Sequence, residues 1–332
     1  MRVVLPRKLL SIAALLLLLL PPSSSFCAPQ QHSSRIESSI PIPILYESAR
    51  ILAINKPTGI PHHDENNNSN NDNNEPGILS VIRQQQSKGA IDYSGRLYGV
   101  HRLDRVTSGI LLLAKDKEMA SILAKAFQNG NVTKYYTGMS AKKRPANKKQ
   151  GWVKGSMVRG RRKSWYLTRQ TQTDKNNYAV TRYFTAGLAG LTPNSNSNNN
   201  NNNSLIDESS HVLPKTLILF RPLTGRTHQL RVAAKSLGLP LQGDPIYSDG
   251  EGTATTVITN GNSRTYLHAT GLHVDLDHEE SVTIWSPPPF GHLWTNDGGG
   301  FNMALGQLVE KRCIDCDPLL RLALSDLEIK YR

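Results

Sequence analysis

The sequence has few cysteines and a single long apolar run, and these shortages exclude several classes of protein. Three cysteines among 332 residues are too few for a disulfide-stabilised scaffold. Cys313 and Cys316 form one C-x-x-C pair, whereas a structural zinc site usually takes four ligands from two such pairs. The apolar run, Leu9–Leu20, is too short to span a bilayer. We therefore expect reduced thiols, no zinc site and no membrane partner for the mature protein.

The apolar run belongs to an N-terminal leader. Basic residues precede it, and prolines and serines follow it, which is the layout of a signal peptide. A Phe-Cys-Ala-Pro sequence begins at Phe26 and opens a segment that is poor in acids. We interpret residues 1–25 as a signal-type leader and residues 26–43 as a transit-like segment. Together they resemble the bipartite plastid-targeting leader of algae with complex plastids; a mitochondrial or a secretory destination is the alternative.

Acidic residues are scarce relative to basic ones. The chain has 39 Lys and Arg against 26 Asp and Glu, which gives a net charge of +13 and favours an anionic partner, either nucleic acid or an anionic membrane surface. The imbalance is greatest in Ala141–Arg169, which contains no acid and carries Trp152, Trp165 and Tyr166 among its basic residues. This composition suits contact with phosphates and stacking on bases. The alternative is a solvated basic loop.

Two tracts composed almost entirely of Asn and Ser, residues 66–74 and 194–203, cannot bury a core. We interpret both as solvated insertions at loop tips of one domain that spans residues 44–290. Residues 291–332 form a C-terminal extension, in which helical spacing predicts one or two terminal helices.

Apolar runs of strand length dominate the domain, and helical spacing is confined to a few segments. Asp116 is a candidate N-cap for a helix that ends at Gly130, and Thr227 is a candidate N-cap for a second helix that ends at Gly238. Strands are predicted at residues 44–55, 97–100, 110–114, 132–139, 178–185 and 217–220, with a hairpin within 272–284. This distribution predicts an α+β fold with a mixed, largely antiparallel sheet.

A cluster of ionisable residues, His101–Gly109, lies in a polar loop between two apolar strands, where catalytic groups are common. Asp104 is flanked by Arg102 and Arg105, and a nearby cation favours the charged form of a carboxylate. A charged carboxylate serves as a base or a nucleophile. The alternative is a structural Asp–Arg pair.

A second cluster, Thr224–Arg231, leads into the second predicted helix. Arg226 precedes the helix, while His228 and Arg231 are three residues apart and lie on one helical face. An arginine on a packed helix reaches a carboxylate through two hydrogen bonds. The alternative is an arginine paired with a surface acid.

Two adjacent tyrosines follow Lys134 on a predicted strand. Because side chains alternate along a strand, Tyr135 and Tyr136 point to opposite faces of the sheet. One is expected in the core and the other in a pocket, and periodicity alone leaves both assignments open.

These segments resemble the RluA family of pseudouridine synthases. The resemblance is carried in order by six segments: residues 54–60 (INKPTGI), 101–115 (HRLDRVTSGILLLAK), 134–136 (KYY), 221–231 (RPLTGRTHQLR), 243–247 (GDPIY) and 266–269 (YLHA). It implies an α+β catalytic domain around a long mixed sheet with a central cleft, no cofactor or metal, and rRNA or tRNA as the substrate. We expect the protein to act as a monomer.

The resemblance also implies roles for individual residues. Asp104 is the essential aspartate, Tyr136 stacks on the target base and is a candidate for moving the proton from carbon 5, and Arg231 pairs with Asp104. Arg102 fills the space that the flipped base vacates. The other expected substrate-binding residues fall within the matched segments: His101, Arg226, His228, Lys134 and Leu267.

Two positions depart from the family pattern. The family usually has a histidine where this chain has Ala233, and often one where it has Leu239, which concerns substrate preference more than activity. A catalytically silent RNA-binding protein of the same fold is the main alternative. A membrane-surface protein is disfavoured by the lack of a basic amphipathic helix, and a metal site is disfavoured by the lack of paired histidines at helical spacing.

Overall fold

The structure is a computed structural model of the chain, and it describes residues 41–65, 75–168, 176–188, 215–248, 265–276, 281–288, 300–312 and 319–320. The proposed leader, nearly all of the transit-like segment, both Asn-rich tracts and the Cys313–Cys316 pair lie outside these ranges.

Strands outnumber helices in the described part of the chain. In chain order the elements are β1 (Ile44–Glu47), β2 (Ile51–Lys56), α1 (Ile78–Ser87), β3 (Tyr98–Gly99), β4 (Ser108–Ala114), α2 (Lys117–Asn129), β5 (Val132–Ser140), β6 (Gln150–Arg159), β7 (Trp165–Thr168), β8 (Tyr178–Gly187), β9 (Thr216–Pro222), α3 (Gln229–Ser236), β10 (Leu267–Val274), β11 (Val282–Trp285) and α4 (Gly300–Arg312).

All strands join one 11-stranded sheet, whose main path is β1-β2-β4-β10-β5-β9-β8-β6-β7. Strand β11 pairs with β10, and β3 pairs with β4. Strand β10 runs parallel to β4, and the other described pairs are antiparallel. The predicted α+β fold with a mixed, largely antiparallel sheet is therefore confirmed.

Side-chain alternation along the strands builds a core on each face of the sheet. On β4, Ile110 and Leu112 pack with α2, whereas Leu111 and Leu113 pack with α1. On β9, alternate residues pack with α4 and with α3 in the same way. On β10, Leu267 packs in the α3 cluster and Ala269 packs in the α1 cluster. Residues two apart on a strand point to the same face, so α1 and α3 cover one face of the sheet. The expected catalytic residues belong to the elements on this face.

The sequence predicted both ends of α2 correctly but not the start of α3. Asp116 caps α2 as predicted, since its side chain accepts a hydrogen bond from the Met119 amide, and Gly130 ends the helix at φ 82°. The prediction of Thr227 as the N-cap of α3 is wrong: His228 takes that position in the left-handed region at φ 56°. The side chain of Gln229 satisfies the amide of Arg226 instead, at 2.9 Å.

The basic stretch after β5 contains two strands, β6 and β7, so the alternative of a solvated basic loop is wrong for that part. Helix α1 was not predicted, and α4 agrees with the expected terminal helix. None of the helices in the described ranges is long and apolar enough to cross a membrane.

Candidate active site

The loop between β3 and β4 carries Asp104, and a buried lysine holds it in place. Lys56, at the end of β2, has no exposed surface. Its Nζ donates to the carbonyl oxygens of Pro57 and Thr107 at 3.0 Å and makes longer contacts of 3.4 and 3.5 Å with those of Asp104 and Arg105. Burial lowers the pKa of Lys56 to about 7, although the charge of Asp104 opposes this shift. The side chain of Lys56 thus holds the loop by binding the loop's backbone carbonyls.

The turn after Lys56 adds two further bonds to the same loop. The hydroxyl of Thr58 donates to the carbonyl of Val106 at 3.0 Å, and the amide of Gly59 donates to that of Arg105 at 2.8 Å. The first and second matched segments of the sequence are therefore one structural unit around Asp104.

A glycine allows the loop to join the sheet beside β10. Gly109 has φ of 112°, a conformation that side chains rarely adopt, and a Cβ at this position would overlap the backbone of Ala269. Its neighbour Ser108 bonds to the buried His268 on β10 at 2.9 Å. The close approach of β4 and β10 fixes where the loop leaves the sheet.

Asp104 lies next to Arg231 of α3, as the sequence predicted. Atom Nη1 of Arg231 is 3.5 Å from Oδ2 of Asp104, and the two side chains are 3% and 20% exposed. The carboxylate is thus open enough to meet a substrate, whereas the guanidinium is buried behind it.

The closer partner of Arg231 is Asp244, which lies within a matched segment but was not predicted as a site residue. Its carboxylate accepts from Nε and Nη2 of Arg231 at 2.7 and 2.8 Å. It also accepts from the amides of Ile246 and Tyr247. Burial disfavours the charge on Arg231, but Asp244 and then Asp104 raise the pKa of its guanidinium above the usual value. Arg231 is therefore a fixed cation shared by two carboxylates.

Tyr247 links this ion pair to its surroundings. Its hydroxyl bonds to Nδ1 of His228 and accepts from the amide of Trp165, both at 2.8 Å, and its ring lies under the guanidinium of Arg231. Burial lowers the pKa of His228 even though Asp104 and Asp244 are near. A neutral His228 beside Asp104 adds no second cation to the site at neutral pH.

The two adjacent tyrosines separate as alternation requires, and the structure decides between them. Tyr135 is 2% exposed and packs with the α4 cluster. Tyr136 contacts both the α1 and the α3 clusters, on the face that carries Asp104. Burial, together with the charge of Asp104, raises the pKa of Tyr136, so the phenol keeps its proton at neutral pH. Tyr136 is thus the tyrosine of the site.

His101 and Lys134 contact the α2 cluster. Nε2 of His101 accepts from the amide of Leu112 at 2.9 Å, and its ring stacks on Phe127 at 4.6 Å. The ammonium of Lys134 lies 5.5 Å from the centre of the same Phe127 ring. Burial lowers the pKa of His101 to about 3, so it is neutral. Through these contacts, His101 stabilises the Asp104 loop and Lys134 stabilises β5.

The remaining expected residues are divided between surface and core. Arg102 is exposed, and its charge adds to the effect of burial in lowering the pKa of both His62 and His228. Arg226 donates from Nε to the carbonyl of Tyr178 at 3.1 Å. Leu267 is 2% exposed in the α3 cluster, where it supports the helix that carries Arg231.

Arg105, next to Asp104, pairs with acids at the base of the first Asn-rich tract. Its Nη1 is 3.3 Å from Oε2 of Glu65 and also contacts Glu75. These two glutamates form an antiparallel bridge through their backbones. The residues on either side of the tract are thus joined to each other and to the Asp104 loop.

Sequence reasoning missed the roles of three residues: Lys56, Asp244 and Tyr247. All three lie within the matched segments, so the signal was present, but their partners come from other parts of the chain. In the ranges that the structure describes, no three His, Cys, Asp or Glu side chains gather in a group that could hold a metal ion.

Comparison with known proteins identifies one family. The family model described as RNA pseudouridylate synthase matches residues 50–236. An uncharacterised RNA pseudouridine synthase of Haemophilus influenzae is 33% identical over 76% of this chain and 90% of its own. The tRNA pseudouridine synthase C of Pasteurella multocida is 30% identical over 69% of this chain and 84% of its own. The ribosomal large subunit pseudouridine synthase D of Borreliella burgdorferi is 27% identical over 74% of this chain and 66% of its own.

Two solved structures share the fold. Human RNA pseudouridylate synthase domain containing 1 superposes with a TM-score of 0.57 at 22% identity and covers 86% of this chain and 100% of its own. Human RNA pseudouridylate synthase domain containing 4 has a TM-score of 0.51 at 24% identity and covers 78% of this chain and 92% of its own.

Proposed function

The chain belongs to the RNA pseudouridylate synthase family, and on that premise we propose that Asp104 is the carboxylate with which it isomerises uridine in RNA. The protein is an RNA pseudouridine synthase and hence an isomerase. The observation that carries the assignment of Asp104 is its position 3.5 Å from a buried arginine while one fifth of its own side chain stays exposed.

The reaction breaks the bond between N1 of uracil and C1′ of ribose and forms a bond between C5 and C1′. The proton on C5 leaves, N1 gains a proton, and no oxidation occurs. A fixed carboxylate assists as a nucleophile or as an anion that stabilises positive charge near C1′. Asp104 is the exposed acid of the site, because Asp244 is buried and saturated with donors.

Arg231 keeps Asp104 charged and oriented. Since Asp244 already occupies Nε and Nη2, only Nη1 faces Asp104, and this leaves the carboxylate oxygens accessible to a substrate. The arrangement holds the cation in place before RNA binds, so reorganisation during the reaction is small.

Tyr136 supplies the surface on which the target base stacks. Its ring lies on the same face as Asp104, between the α1 and α3 clusters. Uracil inside an RNA stack is inaccessible, so the nucleotide must be extruded at a cost of a few kcal/mol, which stacking and backbone contacts repay. Arg102, which is exposed, fills the space that the base leaves.

The substrate is an rRNA or a tRNA. Relatives named for each class support this choice, one for tRNA and one for the large ribosomal subunit. The N-terminal leader supports a plastid destination, so plastid rRNA and tRNA are the first substrates to test. The protein acts as a monomer.

The test is to map pseudouridine in plastid rRNA and tRNA after incubation with protein that lacks residues 1–40, which keeps Ile42 and its core contacts. Wild-type protein converts specific uridines, and Asp104→Asn converts none while binding RNA within a few-fold of wild type. Glu118→Gln, an exposed acid on α2, serves as the matched control and keeps full conversion. An Asp104→Asn protein that still converts uridine would show that another group performs the chemistry.

A further inference from the structure

The outer strands of the sheet expose a cationic and aromatic surface on the face opposite α3, beside the part of β8 and β9 that α4 covers. On β6, Val153 packs toward the α3 cluster, so its neighbour Trp152 points to the opposite face. Trp152 is 48% exposed, which is unusual for the largest side chain in a folded protein. About half of the Trp152 side chain is thus accessible to a partner.

Two cations lie over the ring of Trp152. Nζ of Lys154 is 5.1 Å from the centre of the ring, and the guanidinium of Arg182, across on β8, is 5.6 Å from it. Arg182 pairs in register with Arg221 on β9, so the row Trp152, Arg182 and Arg221 crosses three strands. Strands β6, β7 and β8, which carry Trp152, Lys154, Tyr166 and Arg182, contain no Asp or Glu.

The β6–β7 hairpin connects this surface to the active site. Trp165 on β7 packs with Tyr247, the residue that contacts Arg231, whereas the adjacent Tyr166 points to the face opposite α3 and is 50% exposed. Tyr166 pairs with Val158, six residues from Trp152, which separates the two exposed rings by roughly 20 Å along the strand. The turn of the hairpin exposes three more cations: Arg161, Arg162 and Lys163.

We propose that the face of β6 and β7 opposite α3, with Trp152 and Tyr166 as stacking platforms and Arg182 of β8 beside them, is a second RNA-binding surface. A single strand that leaves the Asp104 site passes around β7, the last strand of the sheet, and its phosphates contact the cations of the turn. Unpaired bases then stack on Tyr166 and Trp152, while Lys154 and Arg182 contact the flanking phosphates. Exposed aromatic rings between cations, without acids on their strands, suit single-stranded RNA better than a protein surface. This inference rests on the proposed function for its substrate, but its binding test does not require catalysis.

The first experiment measures the Kd for a fluorescent oligouridylate of about twenty nucleotides, longer than the sites usual for single-strand binders. Trp152→Ala should raise Kd on the order of tenfold, the equivalent of one lost stacking contact. Trp152→Phe retains a ring and should stay within about threefold. Ile44→Ala is the control, because Ile44 is an exposed apolar residue on β1 at the other edge of the sheet. An unchanged melting temperature confirms that each variant is folded, and an unchanged Kd for folded Trp152→Ala overturns the proposal.

The cations are tested by the salt dependence of binding. The double variant Lys154→Gln/Arg182→Gln should reduce the slope of log K against log salt by about one to two. The double variant Lys117→Gln/Lys125→Gln removes the same charge from the exposed side of α2 and should leave the slope unchanged. Equal slopes for the two double variants would overturn the assignment of phosphate contacts.

Photocrosslinking and turnover separate this surface from the active site. RNA that carries 5-iodouridine should crosslink to the peptides of Trp152 or Tyr166. In turnover assays Trp152→Ala should raise KM and leave kcat unchanged, since Trp152 does not touch Asp104. Failure of the wild-type protein to make pseudouridine would contradict the catalytic assignment of Asp104. The comparison of Kd values would still decide whether the surface around Trp152 and Tyr166 binds RNA. A Trp152→Ala change from dimer to monomer in light scattering, with Kd unaltered, would instead show a protein interface and overturn the proposal.

Discussion

Arg231 is held by Asp244 through two hydrogen bonds, Nε to Oδ2 at 2.7 Å and Nη2 to Oδ1 at 2.8 Å. The geometry is bidentate, and both side chains are almost fully buried, at 3% and 0% exposure. The third nitrogen of the same guanidinium, Nη1, lies 3.5 Å from Oδ2 of Asp104. The catalytic candidate therefore depends on a second carboxylate that never meets the substrate.

Asp244→Asn should weaken catalysis although residue 244 is buried and makes no contact with the substrate. An amide accepts only one of the two guanidinium bonds and carries no charge, so Arg231 is left buried and partly unpaired, at a cost of about 3–5 kcal/mol of folding free energy. We expect a lower melting temperature and a kcat reduced by at least tenfold, with KM nearly unchanged. The measurements are thermal unfolding and single-turnover conversion; a kcat at the wild-type level would show that the orientation of Arg231 is immaterial.

Tyr136→Phe separates stacking from proton movement. The ring that stacks on uracil is retained, so RNA binding should stay within about threefold of wild type. The phenol is lost, so release of tritium from RNA labelled at C5 of uridine should fall strongly if the hydroxyl moves that proton. Tyr136→Leu, the comparison variant, should weaken binding as well. Wild-type release by Tyr136→Phe would restrict Tyr136 to stacking.

Lys56 should make stability depend on pH. Its folded pKa is about 7 against an ordinary value of 10.5, so between these values the unfolded chain binds more protons than the folded one. Stability from this group therefore rises with pH across the window, and the cost is fully present below pH 7. Relative to Lys56→Met, the wild-type free energy of unfolding should rise between pH 7 and pH 9 by at most about 2–3 kcal/mol. Parallel pH profiles of the two proteins in urea unfolding would exclude a neutral Lys56.

The first Asn-rich tract should be dispensable. Glu65 and Glu75, which flank residues 66–74, exchange backbone hydrogen bonds of 3.0 and 3.3 Å and are therefore already paired. Asn-Gly favours a two-residue hairpin turn. Replacing the tract by Asn-Gly should therefore leave kcat within about twofold of wild type and the melting temperature within a few degrees of it. A folded variant with much lower conversion would assign the tract a role in substrate contact.

Several parts of the fold could be predicted because their signals are local. Asp116 and Gly130 mark the ends of α2 through their own side chain and backbone, and the apolar runs of β4 and β5 are long enough to stand out. The strands β6 and β7 were missed because glycines and lysines interrupt the apolar pattern, and the segment is extended through the pairing of β6 with β8 and of β7 with β6.

The site was predictable in its members but not in its contacts. Asp104, Tyr136 and Arg231 were identified through the family resemblance, and the structure brings the first and last together at 3.5 Å. The bidentate pair with Asp244 depends on how the loop after α3 folds back, which no local pattern encodes. The same holds for His101, whose imidazole serves as an acceptor for the Leu112 amide.

The position of β10 has a consequence for biosynthesis. Residues 267–274 fill the gap between β4 and β5, although both of these neighbours leave the ribosome more than a hundred residues earlier. Until translation passes Val274, the two halves of the sheet present unpaired edges, which attract other strands. Nascent chains should therefore need a holding chaperone for most of their synthesis, and premature termination before β10 should yield aggregates rather than a shortened enzyme.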